Sequence, residues 1–185
     1  MAAENVPESK GARVDRIRSF IRTCPDFPKP GIPFKDIMPI VQNPDVFFDT
    51  IALLEEHVKE TGAKVDVVAG LEARGFLFGP PLALRLKCAF VPIRKAGKLP
   101  GETVKCSYAL EYGQDTIEIQ RTAVHPNQNV VIVDDLIATG GTMAGACTLL
   151  ETVQANVVGG LAVVELDYLK GRENIKHDVH SLVHF

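Results

Sequence analysis

The sequence predicts an α/β protein built on a mainly parallel twisted sheet flanked by helices. Three observations carry that prediction. Short runs at 65–71, 88–93, 130–133 and 157–166 are rich in β-branched and apolar residues, as strands buried on both faces are. Segments with helical composition separate several of them, at 44–61, 76–86 and 143–153. A chain of 185 residues with 46% hydrophobic content suits a single α/β domain with a sizeable core.

In chain order, residues 1–12 are polar and small and form a loose tail, and the single domain is expected over 13–185. From Arg13 to Cys24, the positions of Val14, Ile17, Phe20 and Ile21 predict an amphipathic helix that stops at Pro25. The stretch PDFPKPGIPFKD, 25–36, holds four prolines and a glycine, so it must be extended or turning. Its two phenylalanines argue that it packs. Asn43 followed by Pro44 is a helix start, and Gly62 supplies the stop. The strand at 65–71 delivers the turn GLEARGF, 70–76, followed by a helix to Leu86 and a strand from Cys88 to Ile93. Residues 94–105, RKAGKLPGETVK, are basic and show neither period, which predicts a mobile loop. Alternating strands at 107–112 and 116–120 follow, and the histidine-containing DVHSLVHF closes the chain as a final strand.

Composition excludes several functions. A formal charge of −3 leaves no basic field for polymeric nucleic acid, and no apolar run approaches the ~20 residues of a membrane span. Cys24, Cys88, Cys106 and Cys147 lack CxxC spacing, and the start resembles no secretory leader, so a reduced cytoplasmic protein is expected. His177, His180 and His184 invite a metal-site test, but no cysteine or carboxylate in that stretch completes a set, and edge-strand histidines are the expectation.

The chemistry concentrates in VVIVDDLIATGGT, 130–142. A buried strand there delivers Asp134 and Asp135 to its carboxyl end, where open α/β sheets bind ligands. Ala138, Thr139, Gly140, Gly141 and Thr142 then make a turn too small to keep an anion from the backbone N–H groups at the start of the next helix. The pattern is a site for phosphate and sugar hydroxyls. It lacks both the Walker spacing and the dinucleotide Gly-x-Gly-x-x-Gly, so neither nucleoside-triphosphate hydrolysis nor NAD binding is favoured.

This array resembles the phosphoribosyl-diphosphate (PRPP) motif of the type I phosphoribosyltransferases. The resemblance implies that Asp134 and Asp135 hold the ribose hydroxyls and that 138–142 holds the 5′-phosphate. GLEARGF resembles the family's pyrophosphate turn, in which the peptide between Glu72 and Ala73 is expected to be cis and Arg74 adds a cationic fork. RKAGKLPGETVK and SYALEYG, 107–113, resemble the flexible catalytic loop, here 94–111, of the adenine-specific members. Arg94, Lys95 and Lys98 then serve the pyrophosphate and Glu111 is the acid/base. GIPFKD, 31–36, resembles the base-recognition segment within a small N-terminal hood, 13–40. There Phe34 stacks on a purine, the Pro33 carbonyl accepts from the adenine amino group, the Lys35 N–H donates to N1, and Leu136 covers the other face. What the resemblance implies is transfer of the phosphoribosyl group of PRPP to adenine, giving AMP and diphosphate in purine salvage. The same resemblance implies Mg²⁺ bound through PRPP and a homodimer. A phosphoribosyltransferase for another base, or a PRPP-sensing regulator, are the alternatives. The regulator is disfavoured because no basic DNA-binding module fits before Arg13.

Overall fold

The computed structural model of the chain describes residues 8–109 and 114–185. Its contacts divide into two compact units, one ending at Leu53 and the other running from Leu54 to Phe185. In the first, helix α1 (Lys10–Ser19) is capped by Ser9, whose Oγ accepts from the Ala12 N–H at 3.2 Å. The helix stops earlier than its apolar spacing predicts. Residues 22–24 instead form strand β1 (Arg22–Cys24), paired antiparallel with β2 (Phe34–Asp36), and Arg22 Nη2 lies 2.6 Å from Asp36 Oδ2 directly opposite. A cross-strand ion pair and the approach of Pro25 favour extended backbone over another helical turn. A short helix α2 (Met38–Gln42), with no strong signal of its own, precedes α3 (Pro44–Glu60). The Asn43 side chain caps α3, accepting from the N–H groups of Asp45 and Val46 at 3.1 Å.

The second unit continues as β3 (Val67–Leu71), α4 (Gly75–Leu86), β4 (Ala89–Lys95), β5 (Thr103–Ala109), β6 (Gln114–Gln120), β7 (Asn129–Ile137), α5 (Gly141–Thr152), β8 (Asn156–Glu165) and β9 (Val179–His184). Short 3₁₀ turns at Asp167–Leu169 and Gly171–Asn174 join the last two strands. The seven strands are ordered β5-β6-β4-β3-β7-β8-β9, parallel from β4 to β9 and antiparallel where β6 meets β4 and β5. Apolar side chains of β3, β7 and α5 fill the core, with Ala69, Val130, Ile132, Ala146, Leu149 and Leu150 fully buried. Continuous burial along β3 is why its sequence reads as an unbroken apolar run. No described helix is long and apolar enough to cross a membrane.

The stretch 94–105, which shows neither period, is strand at both ends. Arg94 and Lys95 close β4, while Thr103, Val104 and Lys105 open β5. The turn between them is pinned by Glu118 of β6, 1% exposed, which accepts from Lys98 N at 2.8 Å, Leu99 N at 2.9 Å and Thr103 Oγ1 at 3.1 Å. Burial pushes that carboxyl up, but the backbone N–H groups of Leu99, Gly97 and Lys98 outweigh it and hold the group below its ordinary value. A buried acid neutralising a turn from a strand 20 residues away leaves no periodic trace in the turn itself.

Candidate active site

The site forms where β7 outruns its neighbour. Pairing of β7 with β3 ends at Val133 opposite Gly70, whereas pairing with β8 continues to Ile137 opposite Glu165. Asp134 and Asp135 thus stand inside β7, past its last residue paired with β3, rather than after the end of β7. The start of α4 fills the space so opened. A Cβ on Gly75 would lie 2.6 Å from the Val133 carbonyl, so glycine lets the helix meet the strand backbone and sets Arg74 beside the acidic pair. Arg74 Nε is 2.9 Å from Asp135 Oδ2, and the Glu72–Ala73 peptide preceding it is cis.

Electrostatics separate the two acids. Burial and the negative charge of Asp135 push the Asp134 carboxyl well above the usual range. Burial also raises Asp135, against the pull of Arg74. The pair therefore has an unmet demand for positive charge or hydrogen-bond donors.

Beyond Ile137 the chain turns through Ala138, Thr139, Gly140, Gly141 and Thr142 into α5, and these residues line a cradle of about 80 Å³ with Asp134, Leu136, Ile137 and Met143. Gly140 caps the helix at φ +79°, and a Cβ there would meet the Gly171 carbonyl at 2.0 Å. Gly171 has the reciprocal constraint, its Cβ position lying 2.1 Å from the Ala138 carbonyl. Asn174 Nδ2 donates to the Thr139 carbonyl at 2.9 Å. The loop is thus held from behind by the 3₁₀ turn, which leaves its N–H groups at the α5 terminus for an anion.

Three comparisons bear on this geometry. The family model for the phosphoribosyl transferase domain matches residues 38–183. Adenine phosphoribosyltransferase of Rattus norvegicus is 56% identical over 161 residues, 86% of this chain and 87% of the rat protein, and that of Koribacter versatilis is 48% identical over 172 residues, 92% and 93%. The crystal structure of the Saccharomyces cerevisiae enzyme complexed with an imino-altritol bisphosphate and adenine superposes with a TM-score of 0.90 at 46% identity, covering 93% of this chain and 99% of that one. The chain belongs to the adenine phosphoribosyltransferases. Its sheet and helices are the type I phosphoribosyltransferase fold that the sequence predicts.

The second group of expected cations has partners of its own. Arg94 grips the Glu72 carboxylate through Nε at 3.2 Å and Nη2 at 3.0 Å, and gives Nη1 to the Lys98 carbonyl at 3.1 Å. Its hydrogen bonds, with the Lys95 N–H at 2.9 Å, hold the Glu72 carboxyl below its ordinary range. Lys95 Nζ lies 3.2 Å from Asp115. Leu71, Glu72, Lys95, Tyr108, Asp115 and Thr142 surround a further cavity of about 260 Å³. The Glu72 carboxylate thus organises the cations around it, whereas the pyrophosphate expectation concerns the peptide between Glu72 and Ala73.

Among the base-recognition residues, Phe34 is half-buried and meets Phe27 edge to face at 4.9 Å, and Lys35 Nζ donates to Thr23 Oγ1 at 3.0 Å. Pro33 immediately precedes β2, and these three residues belong to the first unit. Glu111 lies outside the described residues. The histidine expectation is corrected in one respect: Glu165 at the end of β8 and Asp167 in the following 3₁₀ turn gather around His184 of β9. His184 Nδ1 is 2.9 Å from Asp167, while Arg172 and Ser181 occupy the Glu165 carboxylate. A fixed guanidinium on the one buried acid makes this an ion-pair network. Sequence reasoning missed Gly171 and Asn174, whose partners are 31 or more residues away; the only local sign is KGREN, a turn-forming stretch after Leu169.

Proposed function

We propose that the protein transfers the phosphoribosyl group of PRPP to adenine, releasing diphosphate and giving AMP. The single observation that carries this reading is the cradle from Asp134 to Thr142, open at the α5 terminus and flanked by Arg74 on the cis turn. Relatives named for this activity match the chain over most of its length.

The 5′-phosphate would sit on the N–H groups of 138–142, where orphan donors and the helix dipole both favour negative charge. Asp134 and Asp135 would accept from the ribose hydroxyls. Adenine N9 forms the new bond to C1′ as the bond from C1′ to the diphosphate oxygen breaks, and the electron pair leaves with diphosphate. An oxocarbenium-like transition state puts positive charge on the ribose, which the nearby acid pair stabilises. Arg74, Lys95, Lys98 and Arg94 would meet the departing diphosphate, and Glu111 would take up the proton of adenine. Phe34 would stack on the base, with the Pro33 carbonyl and the Lys35 N–H reading its edge.

Asp134 gives the cradle a hard oxygen donor, and no thiolate or imidazole lines it, a chemistry that suits Mg²⁺. The ion would be held chiefly through PRPP, with Asp134, which lines the cradle, available to it. When bound it supplies charge neutralisation at the diphosphate. A homodimer, which the family resemblance implies, and a reduced cytoplasmic setting, with which the free cysteines are consistent, complete the reading.

Diphosphate release from PRPP, followed continuously with and without adenine, tests the proposal. Strictly adenine-dependent release is expected. Equal release without base, which is hydrolysis, contradicts it.

A further inference from the structure

We infer that Tyr108 is a positioning residue that aims the Thr142 hydroxyl at the 5′-phosphate, so that the β5–β6 hairpin is part of the phosphate cradle. This deepens the function proposed above and rests on it. The geometry begins with packing. A Cβ on Gly145 would lie 2.8 Å from the Tyr108 ring, so the ring rests on the backbone of α5, one turn beyond Thr142. From there the phenol oxygen is 3.3 Å from Thr142 Oγ1 and 3.5 Å from Asp115 Oδ2. Asp115 is the cross-strand partner of Tyr108, so the register of the hairpin fixes this triangle.

Proton counting gives the triangle a direction. Tyr108 has one proton and two candidate acceptors, and burial pushes its phenol up, so it keeps that proton. A phosphate in the loop only accepts, so Thr142 must give its own proton to the anion. The threonine oxygen is then free to accept, and Tyr108 is the donor beside it. Asp115 tolerates the loss, because it retains Lys95 Nζ at 3.2 Å and the Thr116 N–H at 2.9 Å. Phosphate arrival thereby turns the phenol proton from Asp115 to Thr142 and fixes the threonine rotor.

Tyr108→Phe keeps the ring on Gly145 and removes only the hydroxyl. Calorimetric titrations of AMP and of inorganic diphosphate should be run on wild type, Tyr108→Phe, Thr142→Ala and the double variant. One lost hydrogen bond to an anion-binding hydroxyl should weaken AMP about three- to tenfold in Tyr108→Phe and leave diphosphate unchanged. In steady state the KM for PRPP should rise while kcat holds. In the Thr142→Ala background the Tyr108→Phe loss should vanish, since the hydroxyl acts through Thr142. Unchanged AMP affinity in Tyr108→Phe overturns this inference alone, as does an equal loss in both backgrounds, which marks a packing role. Wild type that binds no AMP overturns the proposed function with it.

Discussion

Replacing Gly140 by alanine separates backbone conformation from backbone contact in the phosphate loop. Gly140 has φ +79°, where an L-residue costs ~1–2 kcal/mol. Its Cβ would also meet the Gly171 carbonyl at 2.0 Å, a backbone atom that cannot rotate away, so the loop and the 3₁₀ turn must part at a further ~1–3 kcal/mol. Gly140→Ala should therefore cost about 2–5 kcal/mol. Two controls divide that sum. Gly97 has φ +84° and nothing within 4 Å of its Cβ position, so Gly97→Ala carries the conformational cost alone. Gly171→Ala carries the contact alone, since its Cβ would lie 2.1 Å from the Ala138 carbonyl without a left-handed φ. Urea unfolding gives the three stabilities. AMP calorimetry should show weakened binding for Gly140→Ala and Gly171→Ala but not Gly97→Ala. If Gly140→Ala is no less stable than Gly97→Ala, the loop does not rest on Gly171 and the reasoning fails.

Other outcomes follow from single residues. Phe34→Ala should raise the adenine KM about tenfold or more with little effect on PRPP, read by steady-state kinetics, because one aromatic stack is worth ~1–3 kcal/mol; equal losses for both substrates indicate packing. Glu111→Gln should lower kcat about 10²–10⁴-fold, measured in single turnovers, if its carboxylate takes the adenine proton; a wild-type rate removes that role. Burial raises Glu165, but Arg172 and Ser181 outweigh it and hold the carboxyl below its ordinary 4.5. A depressed folded pKa contributes stability above that value and loses it as pH falls through the folded one. Urea midpoints from pH 6 downward should therefore fall less steeply for Glu165→Gln than for wild type, and parallel curves refute the linkage.

Much of this architecture is legible in the chain because burial on both faces writes itself into local composition. Val67–Leu71 and Val130–Val133 read as strands for that reason, and Asn43 marks a helix start through its own side chain. The acid pair and small-residue loop are equally local. What escaped depends on partners distant in sequence. Arg22 leaves the helical pattern to pair with Asp36, Glu118 pins a turn that looks featureless, and Gly171 braces Gly140 from another segment. In each case the deciding contact joins residues with no mutual signal in a single sequence. The cations illustrate the same limit: Arg94 and Lys95 read as free loop charges, yet β4 places both against Glu72, one through its guanidinium and the other through its N–H.

The central claim is tested most directly by which base the enzyme consumes. The protein should be incubated with PRPP, Mg²⁺ and equal amounts of adenine, hypoxanthine, guanine and orotate, and the nucleotides separated by chromatography. AMP with one equivalent of diphosphate and no other nucleotide is expected, because the proposed pairing of the Pro33 carbonyl and the Lys35 N–H with the adenine edge would leave 6-oxopurines with opposed donors or acceptors. Formation of IMP, GMP or orotidylate in preference to AMP, or of no nucleotide, contradicts it.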